Sequence, residues 1–104
     1  VIEVVRSKNN IPIRLTEERW IHITEEHSEM AGYYFDVLET VENPEIIFEG
    51  NNEEKIASKE FEKGKYLFVF YKEIQQDDGF IITAFFTRQK KQLEKRKIIW
   101  KQQK

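Results

Sequence analysis

The sequence contains no cysteine. Disulfides, thiolate nucleophiles and sulfur-ligated zinc are therefore excluded. Only two prolines interrupt the 104 residues, and no Gly/Ser-rich stretch divides them. The chain reads as a single domain over residues 1–104. No apolar run approaches the roughly 18 residues of a membrane-spanning helix. The first residues lack the basic, apolar and small-residue order of a secretory signal. A cytoplasmic protein with no membrane partner is the expectation. No glycine-rich loop is present, which removes the P-loop and dinucleotide cradles from consideration. Internal repeats, low-complexity tracts and heptads are missing as well.

What is present is a globular composition. Hydrophobic residues make up 39% and aromatics 13%, with eight Phe, so the core is expected to be rich in rings. A chain of this length buries roughly 60–65% of its unfolded surface. The net charge of −2 hides a segregation. Residues 88–104 hold eight Lys or Arg against one acid, Glu94, which makes that segment +7 and leaves −9 on residues 1–87. A basic C-terminal segment of this kind is suited to a polyanion, while the acidic body repels one. The plain alternative is a solvated terminus.

Hydrophobic spacing predicts two helices and then strands. VIEVV is ambiguous, a short strand being one reading, SKNN reads as a turn, and IPIRL is extended because Ile11 precedes a proline. Thr16 is an N-cap candidate, with Glu17 and Glu18 in the first turn, where they favour the positive end of the helix dipole. Trp20, Ile23 and His27 then follow at helical spacing, giving a helix over about 17–27. Tyr34, Val37, Leu38 and Val41 form one stripe on a second helix, stopped at Asn43–Pro44. Four strands are expected next: EIIFEG (45–50), KIASKEF (55–61), KYLFVFYKE (65–73) and GFIITAFFTR (79–88). QQDDG (75–79) is the turn between the last two, with Asp78–Gly79 as its hairpin dipeptide. QLEKRKIIW (92–100) forms a short C-terminal helix or an edge strand. The fold class is α+β, with two N-terminal helices packed on a four-stranded antiparallel sheet. The second face of that sheet is either open and concave or covered by the C-terminal segment.

Both histidines lie in RWIHITEEH. Two helical zinc ligands need a spacing of four, but His22 and His27 are five apart, which turns one from the other by about 140°. They do not chelate one ion from a straight helix, so no metal and no cofactor is expected. His27 shares the stripe of Trp20 and Ile23 and should face the sheet. Its plain role is that of a half-buried histidine bonded to backbone. His22 lies on the outer flank, plainly an exposed polar residue. Either can act as a general acid or base, because an imidazole titrates near neutrality. Alternation places Lys65, Leu67, Val69 and Tyr71 on one face of their strand. It places Ile81, Thr83, Phe85 and Thr87 together on one face of the next. Thr83 and Thr87 are ordinary strand residues or groove-lining hydroxyls. Lys59 could reach a phosphate. Tyr71 could stack on a base, though a strand aromatic more often belongs to the core. Arg88, Lys90, Lys91, Lys95 and Arg96 are the candidates for gripping a nucleic-acid backbone.

The run RLTEERWIHITEEHSEM…VLETVENPEIIFEG…KYLFVFYKE…DGFIITAFFT…LEKRKIIW resembles the phage and bacterial nuclease-like domains grouped with barnase, EndoU, colicin E5 and D, and RelE. It is most similar to the second phage-associated subfamily, over about residues 12–100. The resemblance implies helices on a four-stranded antiparallel sheet and metal-independent, toxin-like endoribonuclease activity. It also implies RNA as partner, structured or tRNA-like, and a neutralising protein partner. His27 matches a histidine that relatives usually follow with Pro-Glu, where this chain has Ser28–Glu29. His22 matches the earlier histidine. Lys59 stands where relatives often show Arg, and Thr83 and Thr87 match threonines of the last strand. Two rival expectations remain: a catalytically degenerate binding module on the same fold, and a domain that assembles through an exposed sheet edge.

Overall fold

The computed structural model describes residues 3–103, with the side chain of Lys90 outside the described set. Its strands are β1 (Glu3–Arg6), β2 (Pro12–Leu15), β3 (Ile46–Glu49), β4 (Lys55–Glu62), β5 (Lys65–Gln75), β6 (Asp78–Thr87) and β7 (Ile98–Lys101). Its helices are α1 (Glu17–Glu26) and α2 (Tyr34–Glu42), with short 3₁₀ turns at Ser28–Met30 and Lys90–Leu93.

The seven strands form one sheet in the order β1-β2-β6-β5-β4-β3-β7. This corrects the expected four-stranded antiparallel sheet. The four predicted strands do form a meander in its middle. β1 and β2 add a hairpin at one side, and β7 adds an edge strand beyond β3. β2 runs parallel to β6 through the Arg14–Phe80 pair, so the sheet is mixed. Residues 11–15 were expected to be extended and 92–100 to hold a helix or an edge strand, but which strands these four-residue segments join is set by partners distant in the chain, which no local period records. The C-terminal segment divides between the two forms expected of it, a 3₁₀ turn and an edge strand.

α1 begins as predicted. Thr16 is extended at φ −81° and ψ 155°, and its hydroxyl accepts from the Arg19 N–H at 3.1 Å. The helix stops at Glu26, and His27 is its C-cap, with its N–H bonded to the Ile23 carbonyl at 2.8 Å. Met30, fully buried, ties the following turn to the core. Gly32 then takes φ +91°, a left-handed conformation that admits glycine readily, and the chain enters α2. Val37, Leu38 and Val41 bury the predicted stripe of α2 on the sheet. Each such side chain contributes about 1.5–3 kcal/mol.

The β5–β6 hairpin turns at Gln76–Asp77, because Gln75 pairs with Asp78. Asp78–Gly79, expected as the turn, lies within β6 instead. Gly79 is needed for close approach: a Cβ there would sit 2.5 Å from Ile13 Cδ1 and 2.7 Å from the Lys72 carbonyl. A larger residue would push β2 off β6.

A bulge decides which β6 side chains share a face. Phe70 pairs with Thr83 and Tyr71 with Ile81, which leaves Ile82 as an extra residue. Alternation is inverted across it. Ile81 and Ala84, with Phe86, pack in the cluster beneath the helices. Phe85 packs in a second cluster on the other face, with Phe48, Ile56, Phe68 and Phe70. Ile81 therefore does not share a face with Thr83, Phe85 and Thr87, contrary to the simple period. Leu93, only 5% exposed, inserts into that second cluster and lays the basic segment over this face.

Candidate active site

The sheet's two faces divide the candidate residues. His27 reaches the face away from the helices, at the β6 side. Its ring centroid lies 5.3 Å from that of Phe85, tilted by 37°. Its side chain is 32% exposed, and Nδ1 is 3.9 Å from Glu29 Oε2. The C-cap conformation, rather than the Trp20–Ile23 stripe, aims it. Thr83 and Thr87 flank Phe85 two residues away on either side and share its face. They pair with Phe70 and Tyr66 of β5. The Thr87 hydroxyl accepts from the Gln89 N–H at 3.0 Å, which starts the chain's turn into the basic segment.

Tyr66 stands on the same face and was not singled out in the sequence. It packs against the Phe68 cluster and stands opposite Thr87. Burial raises its phenol above the ordinary value, and the Glu60 charge and hydrogen bond and the Glu45 charge add to this. The phenol therefore remains protonated. The available signal was alternation in β5, which places Tyr66 opposite in facing to Leu67 and Val69. Arg88, with a side chain 66% exposed, stands beside it, 3.9 Å from Glu62. Lys91 lines the same groove as Tyr66 and Arg88.

The other candidates are not part of this group. Lys59 lies on the helix face, in line with Ala57 of the helix-side cluster. Its ammonium grips both oxygens of Glu39 on α2, at 2.5 and 2.6 Å. It does not converge with His27. Tyr71 is 1% exposed beneath the helices, and burial, with Glu73 nearby, raises its phenol far above the ordinary value. It has no surface for stacking on a base. His22 is on the outer side of α1, its side chain 54% exposed and 3.8 Å from Glu25. The Arg96 guanidinium donates to the Glu49 carbonyl at 3.4 Å and to Asn51 Oδ1 at 3.2 Å, holding the tail to the β3–β4 turn. Lys95 is exposed. Lys90 has no described side chain.

The helix face holds a second polar cluster that sequence reasoning did not find. The Glu73 carboxylate, 6% exposed, accepts from Ser7 at 2.5 Å and from Asn9 at 3.0 Å, and it pairs with Lys55 at 3.1 Å. Burial alone would raise its pKa. The bonds from Ser7, Asn9 and Lys55, with the Lys55 charge, outweigh this and hold it below the ordinary carboxylate value. The cluster straps residues 7–10 to the sheet. Among the described residues, no three His, Asp or Glu gather in a way that could hold a metal ion. Among those residues, too, no helix is long and apolar enough to cross a membrane.

Chemically, the open face offers an imidazole, two threonine hydroxyls, a protonated phenol and flanking cations. That set matches acid–base cleavage of a phosphodiester. No curated protein and no solved structure matches the chain. A family described as phage-Barnase-EndoU-ColicinE5/D-RelE like nuclease2 matches residues 3–101. With nearly the whole chain covered, the protein belongs to this phage-associated nuclease family.

Proposed function

We propose that the protein is a metal-independent endoribonuclease whose site lies around His27, on the face of the sheet away from the helices. The observation that carries this reading is the placement of the His27 ring on Phe85, between Thr83 and Thr87, on the face that Leu93 brings the basic segment across. Family membership supports RNA as the substrate class.

In this reading His27 accepts the 2′-hydroxyl proton as the 2′-oxygen bonds to phosphorus. The P–O5′ bond breaks, and the departing 5′-oxygen takes a proton from water. Arg88 and Lys91 offset the charge that grows on the nonbridging oxygens, and the adjoining Thr87 hydroxyl donates to one of them. An arginine at this place is apt, because its planar fork matches two phosphate oxygens. Lys59, held by Glu39, takes no part. His22, on the outer side of α1, takes none either.

The test is cleavage of small structured RNAs by wild type and by His27→Ala, His22→Ala and Lys59→Ala, each checked for folding by circular dichroism and run with and without EDTA. The expected pattern is loss in His27→Ala alone and no effect of EDTA. Activity that returns only with a divalent ion overturns the metal-independent reading. Full activity in folded His27→Ala overturns the site. No cleavage of any RNA by wild type would favour a binding module on the same fold.

A further inference from the structure

Beside the candidate active site, an open groove of about 570 Å³ runs between the β4–β5 turn and the 3₁₀ turn at Lys90–Leu93. Tyr66, Arg88, Gln89, Lys91, Gln92 and Glu94 line it. We propose that this groove is a nucleobase subsite, taking one unpaired base of single-stranded RNA with the adjoining phosphates on Arg88 and Lys91. The inference rests on the placement of RNA on the open face and adds to it the conformation of the strand that is bound.

Four observations support it. Tyr66 is a ring held in place from behind by the Phe68 cluster, so stacking on it immobilises little that is not already fixed. It pairs with Thr87, so a base stacked there belongs to a nucleotide next to the reacting phosphate. Cations flank the ring, as a strand with alternating bases and phosphates requires. Finally, Gln92 Nε2 donates to Gln89 Oε1 at 2.8 Å, which fixes the two amides as one hydrogen-bonding edge beside the ring. Glu94 disfavours a phosphate inside the groove itself, and its carboxylate accepts from a base's N–H groups. A paired and stacked base in a duplex cannot enter such a groove. An acidic peptide would satisfy the cations but leave the ring and the amide edge without their partners.

The experiment uses a short 2′-O-methyl oligoribonucleotide, which cannot be cleaved through its 2′-oxygen, and reads fluorescence anisotropy. The same length is also supplied as a wholly abasic ribose-phosphate strand and as a blunt duplex. Wild type is expected to bind the single strand about ten-fold more tightly than the abasic strand, the scale of one base–aromatic stack. Tyr66→Phe should keep that preference and Tyr66→Leu should lose it. Lys59→Met should also keep it, because that ammonium is held by Glu39 on the other face. Equal affinity for the base-bearing and abasic strands overturns the subsite whatever the mutants do, and leaves the cleavage assay to judge the active site separately. Displacement of the oligonucleotide by polyglutamate at equal charge concentration likewise overturns it, in favour of an acidic protein partner.

Discussion

The two faces of the sheet use similar residue types in different ways. Under the helices, polar groups are closed on one another: Lys59 on Glu39, Glu73 on Ser7, Asn9 and Lys55. Tyr71 is sealed among them at 1% exposure. On the open face, His27, Thr83, Thr87 and Tyr66 are half-buried, and Arg88 and Lys91 stand at the rim. The contrast extends to charge. Residues 17–43, which include both helices, carry eight acids and one base, whereas residues 88–104 carry the reverse excess. A polyanion approaching this molecule is repelled by one layer and received by the other. A cation or ring therefore belongs to the site because of the face it occupies, and its type alone does not decide this.

The largest expected break in that contrast is His27→Ala. Loss of a positioned acid–base group typically lowers a rate by about 10²–10⁴-fold, while thermal unfolding should shift little because the side chain is partly exposed. Single-turnover cleavage beside a melting curve reads both. An inactive Lys59→Ala beside an active His27→Ala would move the site to the helix face.

Tyr71→Ala should show the opposite pattern, a large stability loss. Truncating a fully buried ring costs about 3–5 kcal/mol, read by urea unfolding, whereas RNA affinity per folded molecule should be unchanged.

The Glu73 cluster sharpens the contrast through pH. Its carboxyl is held below the ordinary value in the folded state. The stability it contributes is therefore fully present above the unfolded-state pKa. It is lost as pH falls through the folded-state value. Glu73→Gln should remove that part of the acid dependence and cost about 1–3 kcal/mol at neutral pH, since it leaves buried partners imperfectly bonded. Urea midpoints measured across the acid range would show the flattening.

Smaller effects belong to the rim. Lys91→Gln should reduce the salt slope of single-stranded RNA binding by about 0.7. An unchanged slope would separate the basic segment from binding. Smallest of all is Lys59→Met. Its ion pair with Glu39 is a third or more exposed on both sides, so its loss should cost no more than about 1 kcal/mol and leave cleavage at the wild-type rate.

Much of the middle of the fold was legible. The helices show stripes three and four residues apart, and the long strands β4, β5 and β6 show aromatic and β-branched runs. The Thr16 cap followed from its own hydroxyl and the acids after it. At the site, His27, Thr83, Thr87, Arg88 and Lys91 were named from residue type and family likeness; the fold sets His27 against Phe85, whose face the two threonines share, and lines one groove with Arg88 and Lys91. Lys59 was grouped with them but lies on the helix face, paired with Glu39, because spacing along β4 does not say which face meets the histidine. Tyr66 was overlooked for the same reason, although its β5 phase was correctly read. The turn was read correctly within residues 75–79 but centred on Asp78–Gly79 rather than Gln76–Asp77, because Asp78–Gly79 is a strong turn pair in isolation. Here contact with Ile13, from a strand more than sixty residues earlier, accounts for the glycine.

By itself the sequence determined the absence of thiol chemistry, the segregation of charge, the two amphipathic helices and the central hairpins. These depend on composition and on interactions between near neighbours, which periodicity records. Only the tertiary structure decided that four-residue strands extend the sheet to seven and that one joins it in parallel. It alone decided that the bulge at Ile82 turns Thr83, Phe85 and Thr87 away from the helices, and that the end of α1 brings His27 to meet them. Those outcomes depend on pairings between residues far apart in the chain. A single extra residue in one strand reverses every side chain beyond it, and no local pattern records on which side the partner will lie.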